Sequence, residues 1–199
     1  FEEILGYHLE QAHRYLAELG PLDEQGLAIG RDAAIRLSSA AKRAFARGDM
    51  HAAASLYQRA VAVPARDDPD RLTLLPELGE AWMELGDFTQ ARAVVAEAEA
   101  VAERTANGRV KAAAQLLGMR IRLFSSEEGN WSEQTLRMAL AAVPLFEREA
   151  AHPELAKAWR LVGFVHGIAA RYGEYSEAVT RSMQHARLAL RRRQRRRPT

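Results

Sequence analysis

Histidines are the residues of this 199-residue chain best suited to proton transfer or metal binding, and their spacing supports neither. The six are scattered. His8 and His13 are five apart, which puts them on different faces of a helix, and no His-Glu-x-x-His is present. The absence of Cys removes disulfides, thiolate nucleophiles and Cys-based zinc sites together. No Gly-x-x-x-x-Gly-Lys-Ser/Thr loop or Gly-x-Gly-x-x-Gly turn offers a cradle for phosphates, and there is no Gly-x-Ser-x-Gly elbow for a serine nucleophile. The acidic group Asp67, Asp68, Asp70 could hold a cation. It also stands where a helix would begin, where carboxylates accept from free backbone N–H groups and meet the positive end of the helix dipole. Capping is the simpler reading. The expectation is a chain with no catalytic residues, no metal and no cofactor.

The remaining chemistry is electrostatic. Residues 191–197 read Arg-Arg-Arg-Gln-Arg-Arg-Arg, and without these six charges the formal net charge of +2 becomes −4. The body is thus mildly acidic and the high pI comes from one terminal run. Such a run can neutralise phosphates with a steep salt dependence. It lacks interleaved aromatics and any base-reading motif. It equally fits the solvated end of a helix. Only Lys42, Lys111 and Lys157 among the 28 basic residues are lysines, which with abundant Ala suggests a GC-rich bacterial genome. No apolar run approaches the roughly 20 residues that span a bilayer, and a cytoplasmic setting is expected. Phe1 is not a natural start, so further sequence is expected upstream.

The elements that would position these groups are helical. Apolar residues recur with a period near 3.6, and long alternating runs rich in Val, Ile and Thr are missing. A first helix is expected over 1–19, with Ile4, Leu5, Leu9, Ala12 and Leu16 inward and Gly20-Pro21 as its stop. Asp23 caps a long helix over 24–47, with a possible break at Gly26 or Gly30. Gly48-Asp49 turns and caps a returning helix over 50–63. Asp67 or Asp68, with Pro69 in the first turn, begins a helix to Leu85. Pro76 inside it predicts either a kink at 72–76 or a start close to Leu75. Gly86-Asp87 turns into 88–105 and Asn107-Gly108 breaks the chain. Residues 109–126 then run out, Glu128-Gly129-Asn130 turns, and 132–150 come back. Pro153 opens a helix to about Arg171, Gly173 breaks it, and 175–192 form the last.

A phrase repeats in this series. Leu75-x-x-Leu78-Gly79-x-x-Trp82, Gly86-Asp87-Phe88 and Ala91-x-x-x-Val95-x-x-Ala98 form its clearest copy. Gly48-Asp49-Met50 with Ala53-x-x-x-Tyr57-x-x-Ala60 gives its second half earlier. These residues resemble the tetratricopeptide (TPR) repeat. Residues 34–98 look like two units and 111–188 like two degenerate ones. The turn glycines Gly48 and Gly86 lie 38 apart, against about 34 in the ideal repeat. The resemblance implies an all-α fold, a right-handed α–α superhelix of antiparallel helix pairs. In it Gly79, Gly118, Gly163, Ala53, Ala91 and Ala178 would be close-contact points, and Trp82, Tyr57, Phe88 and Trp131 their large partners. Separately, Glu3-Ile4-Leu5-Gly6-Tyr7-His8-Leu9-Glu10-Gln11-Ala12 resembles the segment after the ATPase domain of large bacterial signalling ATPases of the AAA/STAND type. Some of these carry a nucleotide cyclase or a DNA-binding helix-turn-helix elsewhere. The expected organisation is an N-terminal helical segment over 1–30 linking to an upstream domain, TPR-like repeats over 31–190 and a basic tail over 191–199.

Stacked helix pairs leave a long concave surface suited to binding other chains. The resemblance places its lining on the outgoing helices, at Lys42, Phe45, Glu80, Met83, Gln115, Met119, Arg122, Lys157, Arg160 and Phe164. That lining is apolar with a cationic bias and fits a protein or peptide with hydrophobic anchors and some acidic character. The chain's only Asn are Asn107 and Asn130, both in turns, so the Asn-based clamp on a peptide C-terminus is not expected. The expected function is a non-catalytic interaction or regulatory scaffold within a larger bacterial signalling or transcription-regulatory ATPase. The alternative is a nucleic-acid-associated transcriptional regulator using the basic tail or a neighbouring DNA-binding domain.

Overall fold

The computed structural model describes residues 2–66, 68–125 and 131–195. Every regular element among them is an α-helix: α1 (Glu2–Leu19), α2 (Glu24–Ala46), α3 (Met50–Ala62), α4 (Pro69–Glu84), α5 (Phe88–Arg104), α6 (Gly108–Phe124), α7 (Trp131–Arg148), α8 (His152–Ile168) and α9 (Tyr172–Arg195). The chain divides into two compact units, Phe1–Val110 and Lys111–Thr199. The turn expected at Glu128-Gly129-Asn130 lies outside the described residues, as does Asp67.

Capping chemistry sets the helix starts. Asp23 accepts from the Gly26 N–H at 2.7 Å, Asp49 from Ala52 at 3.1 Å, Asp68 from Asp70 at 2.8 Å and Asp87 from Gln90 at 3.0 Å. Each such cap stabilises its helix by about 1 kcal/mol. Five helix ends share one solution. After α2 the Asp49 N–H reaches back to the Ala44 carbonyl and the Gly48 N–H to Phe45. The same pair of bonds runs from Asp87 and Gly86 to Trp82 and Met83, and from Asn107 and Ala106 to Ala102 and Glu103. It recurs from Ala151 and Ala150 to Phe146 and Glu147, and from Arg171 and Ala170 to His166 and Gly167. This is the Schellman arrangement, and it requires a left-handed residue just past the helix. Gly48 and Gly86 hold φ of 81° and 79°; Ala106, Ala150 and Ala170 hold 52°, 47° and 54°.

The alanines explain where the expected boundaries moved. The turn before α9 is made at Ala170, so α8 ends at Ile168 and not near Arg171. Helix α9 begins at Tyr172 and takes Gly173 into its first turn. The break at Asn107-Gly108 falls where expected, but Ala106 supplies the left-handed residue. Asn107 acts as the cap, accepting from the Val110 N–H at 3.1 Å. Two helices expected to falter run through. Helix α2 continues past Gly26 and Gly30, which are points of close approach: a Cβ at Gly30 would stand 2.6 Å from His13 Cδ2. Helix α4 begins at Pro69 and passes Pro76 without restarting.

In the first unit each helix packs on its neighbour, α1 on α2, α2 on α3, α3 on α4 and α4 on α5, and α2 also touches α4. Leu37, Ala41, Ala53, Tyr57, Ala60, Leu72, Leu75 and Ala91 are almost wholly buried between them. The seat of α1 corrects the expected stripe. Gly6 is its buried residue, with room for a Cβ only 3.1 Å from Arg36 Cβ, while Ile4 and Leu16 are exposed. The helix is held by polar contacts as well. Arg36 bonds Glu2 at 3.2 Å, and Arg59 pairs with Glu10 while its guanidinium lies 5.6 Å from the Tyr7 ring centroid.

The second unit is built on Phe146, Ala139, Ala142 and Val143 of α7, Leu155, Ala158, Trp159 and Val162 of α8, Leu116 of α6 and Ala178 of α9. Gly163 packs on α9, where a Cβ would lie 3.4 Å from Val179 Cγ2 and 3.6 Å from Ala178 Cβ. Of the large residues the repeat pattern singled out, Tyr57 fills the core of the first unit as expected. Trp82, Phe88 and Trp131 are only half-buried, and Phe146 is the fully buried aromatic that the pattern did not mark.

Candidate interaction surface

The ten expected surface residues fall on four helices: Lys42 and Phe45 on α2, Glu80 and Met83 on α4, Gln115, Met119 and Arg122 on α6, and Lys157, Arg160 and Phe164 on α8. In the first unit Lys42 and Phe45 are half-buried. Glu80 and Met83 have relative exposures of only 6% and 7% and therefore belong to packing. An i, i+3 step keeps both on one face of α4, and that face is the one turned into the unit.

In the second unit Met119 is fully buried, while Gln115, Lys157 and Phe164 are half-buried and Arg122 and Arg160 exposed. The structure brings α6 and α8 together through Phe124 and Phe164, whose ring centroids are 5.0 Å apart. Phe124 remains 49% exposed, and the Arg120 guanidinium lies 6.0 Å from its centroid. Arg122 turns to the Trp131 ring at 5.1 Å and approaches Met119 Sδ at 3.5 Å. One partly accessible patch of this unit thus pairs Phe124 and Phe164, with Arg120 and Arg160 each one helical turn before one of them. Phe164 and Arg160 are among the ten expected surface residues; Phe124 and Arg120 are not, and the structure sets Phe124 beside Phe164. The i, i+4 spacing of Arg120 and Phe124 was the available signal.

No group of three or more His, Asp or Glu suited to a metal ion occurs among the described residues, and no described helix is long and apolar enough to cross a membrane. Helix α9 carries residues 191–195 of the arginine run.

No protein-family model matches the chain, and no curated protein does. Solved structures do. The apo form of the quorum sensor NprR from B. thuringiensis is 16% identical, with 89% of this chain covered and a TM-score of 0.62. The chain spans 48% of that protein's length. BtubC (BKLC) from P. vanneervenii is 17% identical over 94% of this chain and 82% of its own, with a TM-score of 0.52. A putative kinesin light chain of P. anserina, described as having nearly identical TPR-like repeats, is 17% identical over 94% of this chain and 87% of its own, with a TM-score of 0.50. The fold is all-α and TPR-like. At these identities the likeness concerns fold alone.

Proposed function

We propose that this chain is a non-catalytic module that binds a protein or peptide, within a larger bacterial signalling or transcription-regulatory protein. The observation that carries the reading is the fold itself: TPR-like helix pairs whose outgoing helices keep Lys42, Phe45, Gln115, Arg122, Lys157, Arg160 and Phe164 within reach of solvent. Repeats of this kind use successive helix faces as recognition surfaces. A quorum sensor is among the proteins that share this fold, and a regulatory role is part of the proposal. The upstream ATPase belongs to this proposal and rests on residues 3–12. The ligand chemistry suggested is apolar anchors flanked by acidic side chains, since the reachable set combines two phenylalanines with four cationic residues.

The test is a display screen of random peptides against the full chain. Recovered binders should carry aromatic or aliphatic anchors beside Asp or Glu. Lys42→Glu or Arg160→Glu should then weaken binding by about tenfold, roughly 1.4 kcal/mol, in variants whose helical circular dichroism shows that they remain folded. Binders sensitive only to changes on α3, α5 or α9 would place recognition elsewhere. Retention of nucleic acid alone, removed by salt, would favour the arginine run and overturn the scaffold reading.

A further inference from the structure

The seam between α8 and α9 contains more polar machinery than helix packing needs. Ser182 Oγ donates to the Ala156 carbonyl at 2.8 Å, and Arg192 Nη1 donates to that of Ala150 at 2.9 Å. The Arg181 guanidinium lies 4.5 Å from the Trp159 ring centroid. Between these contacts His152 of α8 meets His185 of α9. Their Nδ1 atoms are 3.2 Å apart, with ring centroids at 5.4 Å and planes inclined by 23°. The centroids are farther apart than the nitrogens by nearly the depth of two half-rings. The rings therefore meet edge to edge, nitrogen to nitrogen. That is the geometry of a shared N–H···N bond, with one ring as donor and the other as acceptor.

Such a bond needs one bare Nδ1. When both rings are protonated to imidazolium, each Nδ1 carries a hydrogen, no acceptor is left, two N–H groups face each other, and two positive charges share a half-buried site. We propose that His152 and His185 form a proton-operated latch, holding α9 on α8 near neutral pH and releasing it when both rings are charged. Release would uncover the strip of α8 now under α9, comprising Trp159, Gly163 and Gly167, the last packed against Tyr175.

The surroundings set the direction. Burial is the largest influence and holds His185 below the ordinary histidine value; the facing His152 and then Arg181 of α9 add to it, while Glu147 of α7 opposes them. The docked state therefore binds fewer protons than the released state. Docking is fully present above the ordinary histidine value near 6.5 and weakens as pH falls below it.

Amide hydrogen exchange on the full chain at pH 7.5 and 5.5, corrected for intrinsic rates, tests the latch. In the wild type, protection of peptides spanning 176–192 should fall by about threefold to tenfold at the lower pH, with α2 and α3 unchanged. In His185→Asn the carboxamide can donate to or accept from His152, so protection should stay within about twofold between the two pH values. An equal loss in wild type and variant, a flat wild type, or a loss spread evenly over all helices would overturn the proposal. Should the variant fail to fold, imidazole NMR titration of the wild type decides. Two separated titrations, one below the ordinary range, are expected; two coincident ordinary ones would overturn it.

Discussion

Arg71 is committed to structure. Its Nε donates to the Val61 carbonyl at 3.0 Å, Nη1 to that of Arg66 at 3.1 Å, and Nη2 to the Glu97 carboxylate at 2.5 Å. One guanidinium thus ties the end of α3, the following loop and α5 to α4. Truncation leaves the buried Val61 carbonyl without this donor, at a cost of about 1–3 kcal/mol, while the Arg66 carbonyl and the Glu97 carboxylate are open enough to turn to water. Arg71→Ala should destabilise by about 1–3 kcal/mol in urea unfolding. Arg71→Lys should recover little, because an ammonium cannot reproduce the planar fork. A loss under 1 kcal/mol for Arg71→Ala would mean water replaces the fork. The left-handed alanines make the opposite prediction. A non-Gly residue there costs roughly 1–2 kcal/mol, while Gly gives back about 0.4–1 kcal/mol in unfolded-chain entropy. Ala106 and Ala170 are exposed, so their methyl groups contribute little packing. Ala106→Gly and Ala170→Gly should each raise stability by about 0.5–1 kcal/mol, or the melting temperature by roughly 1–4 °C. Lowered melting would show that the methyls pack in solution.

At the scale of the element, the repeat phrase located the helix pairs and did not locate every turn. Gly48-Asp49 and Gly86-Asp87 announce themselves because Gly favours the left-handed region and Asp caps the next helix. At Ala106, Ala150 and Ala170 the same bonds form around a residue with no such preference, so Gly173 drew the expected boundary away from the true one. Helix faces were legible by the same measure. Large apolar residues at 3.6 spacing marked the buried faces of α4 and α8, whereas α2 buries chiefly Ala and Gly beside Leu37 and leaves Leu27 and Ile35 exposed. Helix α1, covered on one side only, seats Gly6 and leaves Ile4 and Leu16 outside. Glu80, Met83 and Met119 illustrate the limit for the candidate surface: a position count identifies a face of the helix but not whether a neighbour covers it.

Over the whole molecule, stability should behave as nearest-neighbour stacking, because in the first unit nearly all packing is between consecutive helices. Helices α1 to α5 carry a buried core of their own, so a fragment covering residues 1–107 should retain helical circular dichroism and melt cooperatively. A fragment that melts broadly, without a sigmoidal transition, would mean this core depends on the rest of the chain. The sequence by itself determined the all-α class, the antiparallel pairing and the Asp caps, since these come from period, Gly and capping residues acting within about one helical turn. It determined too that the chain holds no phosphate loop and no cysteine chemistry. Only the tertiary structure decided which side chains of the outgoing helices stay accessible, that Phe124 joins Phe164, that Arg71 clasps three segments and that His152 meets His185 across 33 residues. Each of these depends on the distance between side chains of different helices. Local propensity carries no record of that distance; it is fixed when small residues such as Gly6 and Gly163 set how closely two backbones approach.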